Sequence, residues 1–427
     1  MTTAFDFMQA ARQGELQSLR NLAVTSELVR AVSRLIHALQ KERGFSNLHL
    51  GDFSPKCSEE LAQHIPLSES ATAALRGCFD QMKLDSGCHA DRIRLLNRVA
   101  LAVYLLDDLP RLRHKVHDRL LSPSASMQSY TYLINALLAV VFEAADTAVD
   151  PQITSALVAL FNFMQSKELA GQERATGVVG FVAGYFDAPL LNKMHFLQEG
   201  QRRCLEVFAE FAAPQCAVVW TAHEKNEINQ QIESMRRMAE RTSSAARIGS
   251  EMAEIWFDLA SQRMDLMKMM EDELAERLTQ LCTQKIELAE RDLADHRTLL
   301  HRLASFDEPS DFPTARLFNV QAVALGSSPA DVPGSQISRS ILDILHAQTL
   351  RLQAMNDEIE SARHALSKRK IIERAKGELM DKQKLNEEDA YRLMQQKAME
   401  GGAKLIDVAR LILEKAQTDA QSSVQSG

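Results

Sequence analysis

Glycine and proline are scarce in this sequence, 17 and 11 among 427 residues. Glycine weakens a helix through its backbone freedom, and proline through its missing N–H and its ring. Their scarcity leaves room for long uninterrupted helices. Aromatic residues make up only 6%, and β-branched residues rarely alternate as they would in strands. Leu, Ala, Met, Gln, Glu and Arg dominate, and all form helices well. The fold class expected is all-α.

Paired cysteines are missing too. Cys57, Cys78, Cys88, Cys204, Cys216 and Cys282 include no CxxC, and Cys88-His89 has no second ligand pair nearby. They read as free thiols of a reducing compartment, with no metal site. The longest apolar runs, such as residues 137–142 and 178–186, fall short of the ~18 needed to cross a bilayer. The N-terminus, MTTAFDFMQAARQGE, lacks the basic and apolar regions of a signal peptide. A cytoplasmic protein without membrane contact is expected. Walker loop, Rossmann fingerprint, HExxH and a nucleophile–base set are all missing, and His223-Glu224 has no second His. The chain therefore reads as a non-enzyme that needs no cofactor.

What is present is organised by breakers and charge. The formal charge is −8, unevenly spread. Residues 361–427 hold 13 basic and 10 acidic side chains, against 36 and 47 in the remainder. A slightly basic tail on an acidic body fits a separate nucleic-acid module. From about residue 26 to 303 amphipathic helices follow one another. The first carries Leu28, Val32, Leu35 and Leu39 on one stripe. Breaks are expected at residues 51–55, at Gly87 and at Ser122-Pro123, with a new run near Thr154. Residues 222–303 lack proline and hold only Gly249, which predicts two long helices or one very long one. Residues 306–335 carry Pro309, Pro313, Pro329, Pro333, Gly326 and Gly334, the best domain boundary in the chain. A strict heptad follows: Ile341, Leu345, Gln348, Leu352, Met355, Ile359, Ala362 and Leu366. It fits a coiled-coil seam, or a helix packed on the body. The division expected is an extension (1–29), a helical sensor (30–303), a linker (304–335), a coiled-coil connector (336–362) and a small three-helix bundle (363–420).

In that last bundle the first helix ends near Met380. The second begins after Asn386, a good N-cap followed by acidic residues. Gly401-Gly402 stop it, and the third carries Leu405, Val408, Ala409 and Ile412. Gly377 sits inside the first helix at a cost of about 1 kcal/mol against Ala, so a close neighbour is expected there: a packed helix, or also a nucleic-acid backbone beside Lys376. Arg369, Lys370, Ile372, Ala375-Lys376-Gly377, Leu379-Met380, Glu388, Ala390-Tyr391, Ala398-Met399 and Leu405 through Val408-Ala409 together resemble the ANTAR RNA-binding domain. The resemblance implies an RNA-hairpin binder, acting as a dimer, that keeps a terminator from forming. Arg369 and Lys376, then Lys370, Arg392 and Lys397, are the expected phosphate contacts. Each could equally be a solvated surface cation.

Three arginines of the N-terminal part lie on apolar stripes. Arg43 continues the stripe of Leu28 to Leu39. Arg174, in Glu173-Arg174-Ala175, repeats Glu42-Arg43 131 residues later and hints at two similar halves. Arg236 shares a face with Ile228, Ile232 and Ala239, whereas Arg237 follows Glu233 and is expected at the surface, paired with it. A buried guanidinium needs an anionic partner. The three could converge on one planar oxyanion, or each could pair with a buried Glu. The segment KERGFSNLHL and the helices after it, residues 30–285, resemble the NIT nitrate- and nitrite-sensing domain. That implies two four-helix bundles with interfacial arginines holding the anion. The role passes first to Arg43, then to Arg236, then to Arg174, whose motif reads ERA where the family has ERG. Both resemblances together imply a nitrate- or nitrite-responsive antiterminator. It would be a homodimer whose ligand relieves autoinhibition, so that it binds a leader-mRNA hairpin and acts on RNA polymerase indirectly. A helical scaffold signalling to a protein partner, or a DNA-binding regulator, is the alternative.

Overall fold

The computed structural model describes residues 4–51, 56–81, 90–304 except 147, 149 and 245, then 368, 371–383, 385, 387–400 and 404–425. The heptad and most of the linker lie outside the described residues, as do Gly87, Asn386, Arg369 and Lys370. All regular structure among the described residues is helical. The helices are α1 (Ala4–Leu50), α2 (Lys56–Asp80), α3 (Ala90–His117), α4 (Pro123–Asp146), α5 (Pro151–Ala183), α6 (Ala188–Phe211), α7 (Pro214–Glu224), α8 (Glu227–Glu240) and α9 (Met252–Ala304). Residues 371–383 form α10, followed by α11 (Glu387–Glu400) and α12 (Leu405–Gln425).

The chain divides into two compact units. One joins Met1–Arg20 to Thr283–Glu358, the other Asn21–Cys282 to Ile359–Gly427. In the first, Arg20 and Glu290 pair at 2.8 Å. The second carries the polar networks and the small C-terminal domain described below. The expected extension 1–29 is not a separate piece of secondary structure, because α1 runs unbroken from Ala4 through the Leu28–Leu39 stripe. Nothing in residues 4–50 except Gly14 and Gly44 opposes helix, and neither alone outweighs the buried leucines around them.

Helix starts follow local chemistry. Asp150 caps α5 by accepting from the backbone N–H of Gln152 (3.0 Å) and Ile153 (3.1 Å), with Pro151 in the first turn where its missing N–H costs nothing. Asp187 caps α6 in the same way, and Asn226 caps α8. The expected long segment 222–303 is broken at residues 241–251, around Gly249, into α8 and α9.

The apolar stripes meet in two four-helix groups, α1–α4 and α5, α6, α8, α9, with short α7 linking α6 to α8. Phe181, Phe186, Met194, Ile232, Met235, Trp256 and Leu259 form a core of the second group. Fully burying each such side chain stabilises by about 1.5–3 kcal/mol. Among the described residues α4 is the one helix apolar and long enough to cross a membrane, but Tyr130, Leu133, Ile134, Leu137, Val140 and Val141 are buried, as suits the central helix of a bundle.

In the C-terminal domain Ala375, Leu379, Ala390, Met394 and Ala409 form the core, flanked by Leu405 and Ile412. The packed helix expected at Gly377 is overturned. A Cβ placed there meets no heavy atom within 4 Å, so helix packing gives no reason for glycine. Gly377→Ala should therefore stabilise α10 by up to about 1 kcal/mol. Slower amide exchange across residues 371–383 would show it; unchanged or faster exchange would contradict it.

Candidate functional site

Helices α1 and α5 approach closely where each offers a glycine to the other's arginine. A Cβ on Gly171 would stand 2.7 Å from Arg43 Nη2, and one on Gly44 would clash with Arg174 Nη2. The sequence therefore builds the crossing reciprocally, each guanidinium lying over the facing glycine.

The two arginines are almost fully buried, Arg43 at 1% and Arg174 at 3% exposure. Their partners differ. Arg43 forms a two-pronged pair with Glu168, Nη1 to Oε1 at 2.6 Å and Nη2 to Oε2 at 3.1 Å, and donates to Thr131 Oγ1 at 2.9 Å. Gln40 and Gln172 also donate to Glu168, each at 2.9 Å, so that carboxylate is saturated. Arg174 has neutral acceptors: Ser261 Oγ at 2.8 Å and the Gln40 carbonyl at 2.9 Å. Its guanidinium carbon lies 4.8 Å from the Phe257 ring centre, a cation–π contact. Among the described residues no carboxylate lies in ion-pair range of it. Burial, and then the neighbouring charge of Arg43, lower its pKa to about 10. Charge of one sign is thus left over at this crossing.

Nearby polar groups lock each bundle separately. Glu42 accepts from Arg113 Nε (2.8 Å) and Nη2 (3.0 Å), from Tyr130 Oη (2.7 Å) and from Ser68, which ties α1 to α3, α4 and α2. Glu173 accepts from Arg236 Nε (2.7 Å) and Nη2 (2.6 Å), Gln198 (3.0 Å) and Gln201 (2.8 Å), with Arg263 at 3.8 Å. That ties α5 to α8, α6 and α9. The two halves hinted at by the recurring Glu-Arg pair are therefore real in three dimensions.

Of the arginines singled out in the sequence, the structure brings Arg43 and Arg174 to one crossing and leaves Arg236 elsewhere. Arg236 is spent on Glu173 and on Glu233. The single convergence of all three is corrected: two meet, while Arg43 and Arg236 each take a buried glutamate. Arg237 is exposed as expected, but it donates to Ser234 at 3.1 Å, because Glu233 turns to Arg236. Sequence reasoning missed Glu168, Thr131, Ser261, Gln40 and Phe257. Glu168 carries a readable signal, a carboxylate on a helix that is otherwise buried nearly all round; Thr131 and Ser261 carry none.

On the C-terminal domain Arg392 and Lys397 are exposed on α11. Lys376 is only 8% exposed and pairs with Glu373 at 2.6 Å, a poor position from which to reach phosphate. Tyr391 of α11 packs against sensor helix α6. Its ring lies edge-on to Phe196 with centroids 5.4 Å apart, the Arg203 guanidinium stands over it at 5.6 Å, and Arg203 donates to its hydroxyl.

Paired helical bundles with a buried arginine crossing, followed by a small three-helix domain, define a sensor module joined to an output domain. Residues 34–279 match the family described as nitrate and nitrite sensing, and the chain belongs to that family. Residues 360–413 match the ANTAR domain. The nitrate regulatory protein of Klebsiella oxytoca is 29% identical over 409 residues, covering 96% of this chain and 94% of that protein. The solved structure of the NasR transcription antiterminator is similar with a TM-score of 0.61 at 28% identity, covering 97% of this chain and 99% of that one.

The Glu173 network has a signature in pH. Burial alone would raise the Glu173 carboxyl; the charge and hydrogen bonds of Arg236, with Arg263 and Gln201, outweigh it and hold the pKa below the ordinary 4.5. A depressed folded pKa gives stability that is present above the unfolded value and is lost as pH falls towards the folded one. Glu173→Gln should lose that acid dependence and, by leaving Arg236 only the half-exposed Glu233 as charge partner, cost about 3–5 kcal/mol at neutral pH. Urea unfolding at pH 7 and pH 4 checks both; a variant with the wild-type pH slope would contradict the assignment.

Proposed function

We propose that the chain is a nitrate- or nitrite-responsive one-component transcription antiterminator of the cytoplasm, a homodimer whose α1–α5 crossing takes the anion. The observation that carries the reading is Arg174, a buried guanidinium with neutral partners, beside an Arg43 already held by Glu168. A planar guanidinium fork suits a planar oxyanion, and Ser261 and Thr131 supply hydroxyls at its two sides. Arg174 thus moves from the last of the three candidate ligands to the first, and Arg236 becomes a structural residue.

The output is binding of a leader-RNA hairpin through the ANTAR domain, which prevents termination and affects RNA polymerase only through the transcript. Exposed Arg392 and Lys397 are the phosphate contacts best supported by their placement; Lys376 serves the domain's own packing. Autoinhibition is supported by the cover that Phe196 and Arg203 place on Tyr391, an aromatic ring suited to stacking on an unpaired base. Anion binding would shift an existing equilibrium towards a form with Tyr391 uncovered.

Two measurements test this. In calorimetric titration with nitrate and nitrite, Arg174→Lys should bind at least about tenfold more weakly, since it keeps the charge but loses the fork. Arg236→Lys should lower unfolding stability and leave anion affinity within about threefold. The reverse pattern would place the ligand at Arg236 and refute the site. Separately, Phe196→Ala should raise RNA affinity measured without nitrate and leave nitrate affinity alone; unchanged nitrate-free RNA binding would show that this contact is not the mask.

A further inference from the structure

The internal repeat contains one exception, and it falls at the site. Glu42-Arg43 recurs as Glu173-Arg174, and Thr131, which serves Arg43, recurs as Ser261, which serves Arg174. Glu168 stands six residues before Arg174 on α5 and reaches across to Arg43 on α1. The residue six before Arg43 on α1 is His37. By the same relation, position 37 is where a carboxylate reaching across to Arg174 would stand. The repeat has kept both arginines, both hydroxyls and both bundle-locking glutamates, and has kept only one of two bridging carboxylates.

His37 does not supply the missing charge. It lies 3.6 Å from Asp265 through Nε2, while burial and the charges of Lys167, Lys41, Lys268 and Arg174 favour its neutral form. The other ionised groups around the crossing are already matched. Lys41 pairs with Asp265 at 2.9 Å, Lys167 with Glu271 at 2.6 Å, and Lys268 with Asp272. Arg43 and Arg174 against Glu168 leave a charge of one positive unit. A monovalent anion brings the crossing to neutrality. A dianion carries it past neutrality inside a low-dielectric interior, where an uncompensated charge is costly.

Resting on the functional reading above, we propose that the sensor selects a monovalent oxyanion because that anion takes the place of the carboxylate absent at position 37. His37 is then a positioning residue. It makes the vacancy by carrying no negative charge and need not touch the ligand. The crossing holds one anion per chain, at Arg174, and Glu168 is the built-in equivalent of a second.

The test titrates the full chain with nitrate and with sulfate, in wild type, His37→Gln and His37→Glu. Wild type should bind nitrate with a stoichiometry of one and at least about a hundredfold more tightly than sulfate. Because Gln is neutral, it should preserve that preference. His37→Glu places the charge internally, so it should weaken nitrate at least about tenfold while unfolding at the same or a higher temperature. It should also bind leader RNA without nitrate. If His37→Glu does not fold, the selectivity of wild type decides alone: sulfate binding as tightly as nitrate overturns the charge argument. Nitrate bound equally by wild type and a folded His37→Glu overturns the inference and leaves the functional reading standing. A wild type that binds neither nitrate nor nitrite refutes both.

Discussion

Two buried guanidiniums with a carboxylate for only one of them set the terms for the rest of the sensor. Removing a charge from water costs several kcal/mol even after a protein relaxes around it. The crossing of α1 and α5 meets that cost for Arg43 with a saturated two-pronged pair to Glu168. For Arg174 it is met only by a hydroxyl, a carbonyl and an aromatic face. Gly44 and Gly171 make the arrangement possible, since any larger side chain would occupy the space of the facing guanidinium. Helix spacing, arginine placement and charge imbalance are therefore one feature, written in a few residues on each of two helices.

A contiguous run of contacts joins this crossing to the ANTAR domain. Glu173, beside Arg174 on α5, accepts from Gln198 and Gln201 on α6. The same helix carries Phe196 and Arg203 against Tyr391. A small rotation or slide of α5 on anion binding would thus reach α6 through hydrogen bonds with little slack. Moving an equilibrium from 1:99 to 99:1 requires about 5.5 kcal/mol of differential binding. Hydrogen bonds to charged groups contribute about 1.5–3 kcal/mol each, so two or three formed only in the active state bring most of that switch within reach.

Much of this was legible in the sequence. The scarcity of breakers gave the all-helical fold, and Pro123 and Gly51 marked real ends because they act locally. Periodicity put Arg43, Arg174 and Arg236 inside, and the recurring Glu-Arg pair revealed the repeat. What could not be read was which buried carboxylate each arginine would take. That depends on how helices rotate against one another. A stripe fixes the face of a helix but not its neighbour, so Glu168 and Glu173 emerged as partners only in three dimensions. The packed helix expected at Gly377 failed for a related reason: an unfavourable residue in a helix announces a constraint without saying that packing imposes it. Lys376 looked available in sequence and is enclosed, because its methylene stem and ammonium fold back beside Glu373.

The central claim is that the anion meets the protein at Arg174, with the Arg43–Glu168 pair intact. Crystals of the full chain grown with and without nitrate test it most directly, through the difference density between them. The account predicts a planar feature within hydrogen-bonding distance of the Arg174 guanidinium and the Ser261 hydroxyl, and Glu168 still on Arg43. Density between Arg236 and Glu173, or an Arg43 that has abandoned Glu168 while Arg174 stays empty, would contradict it.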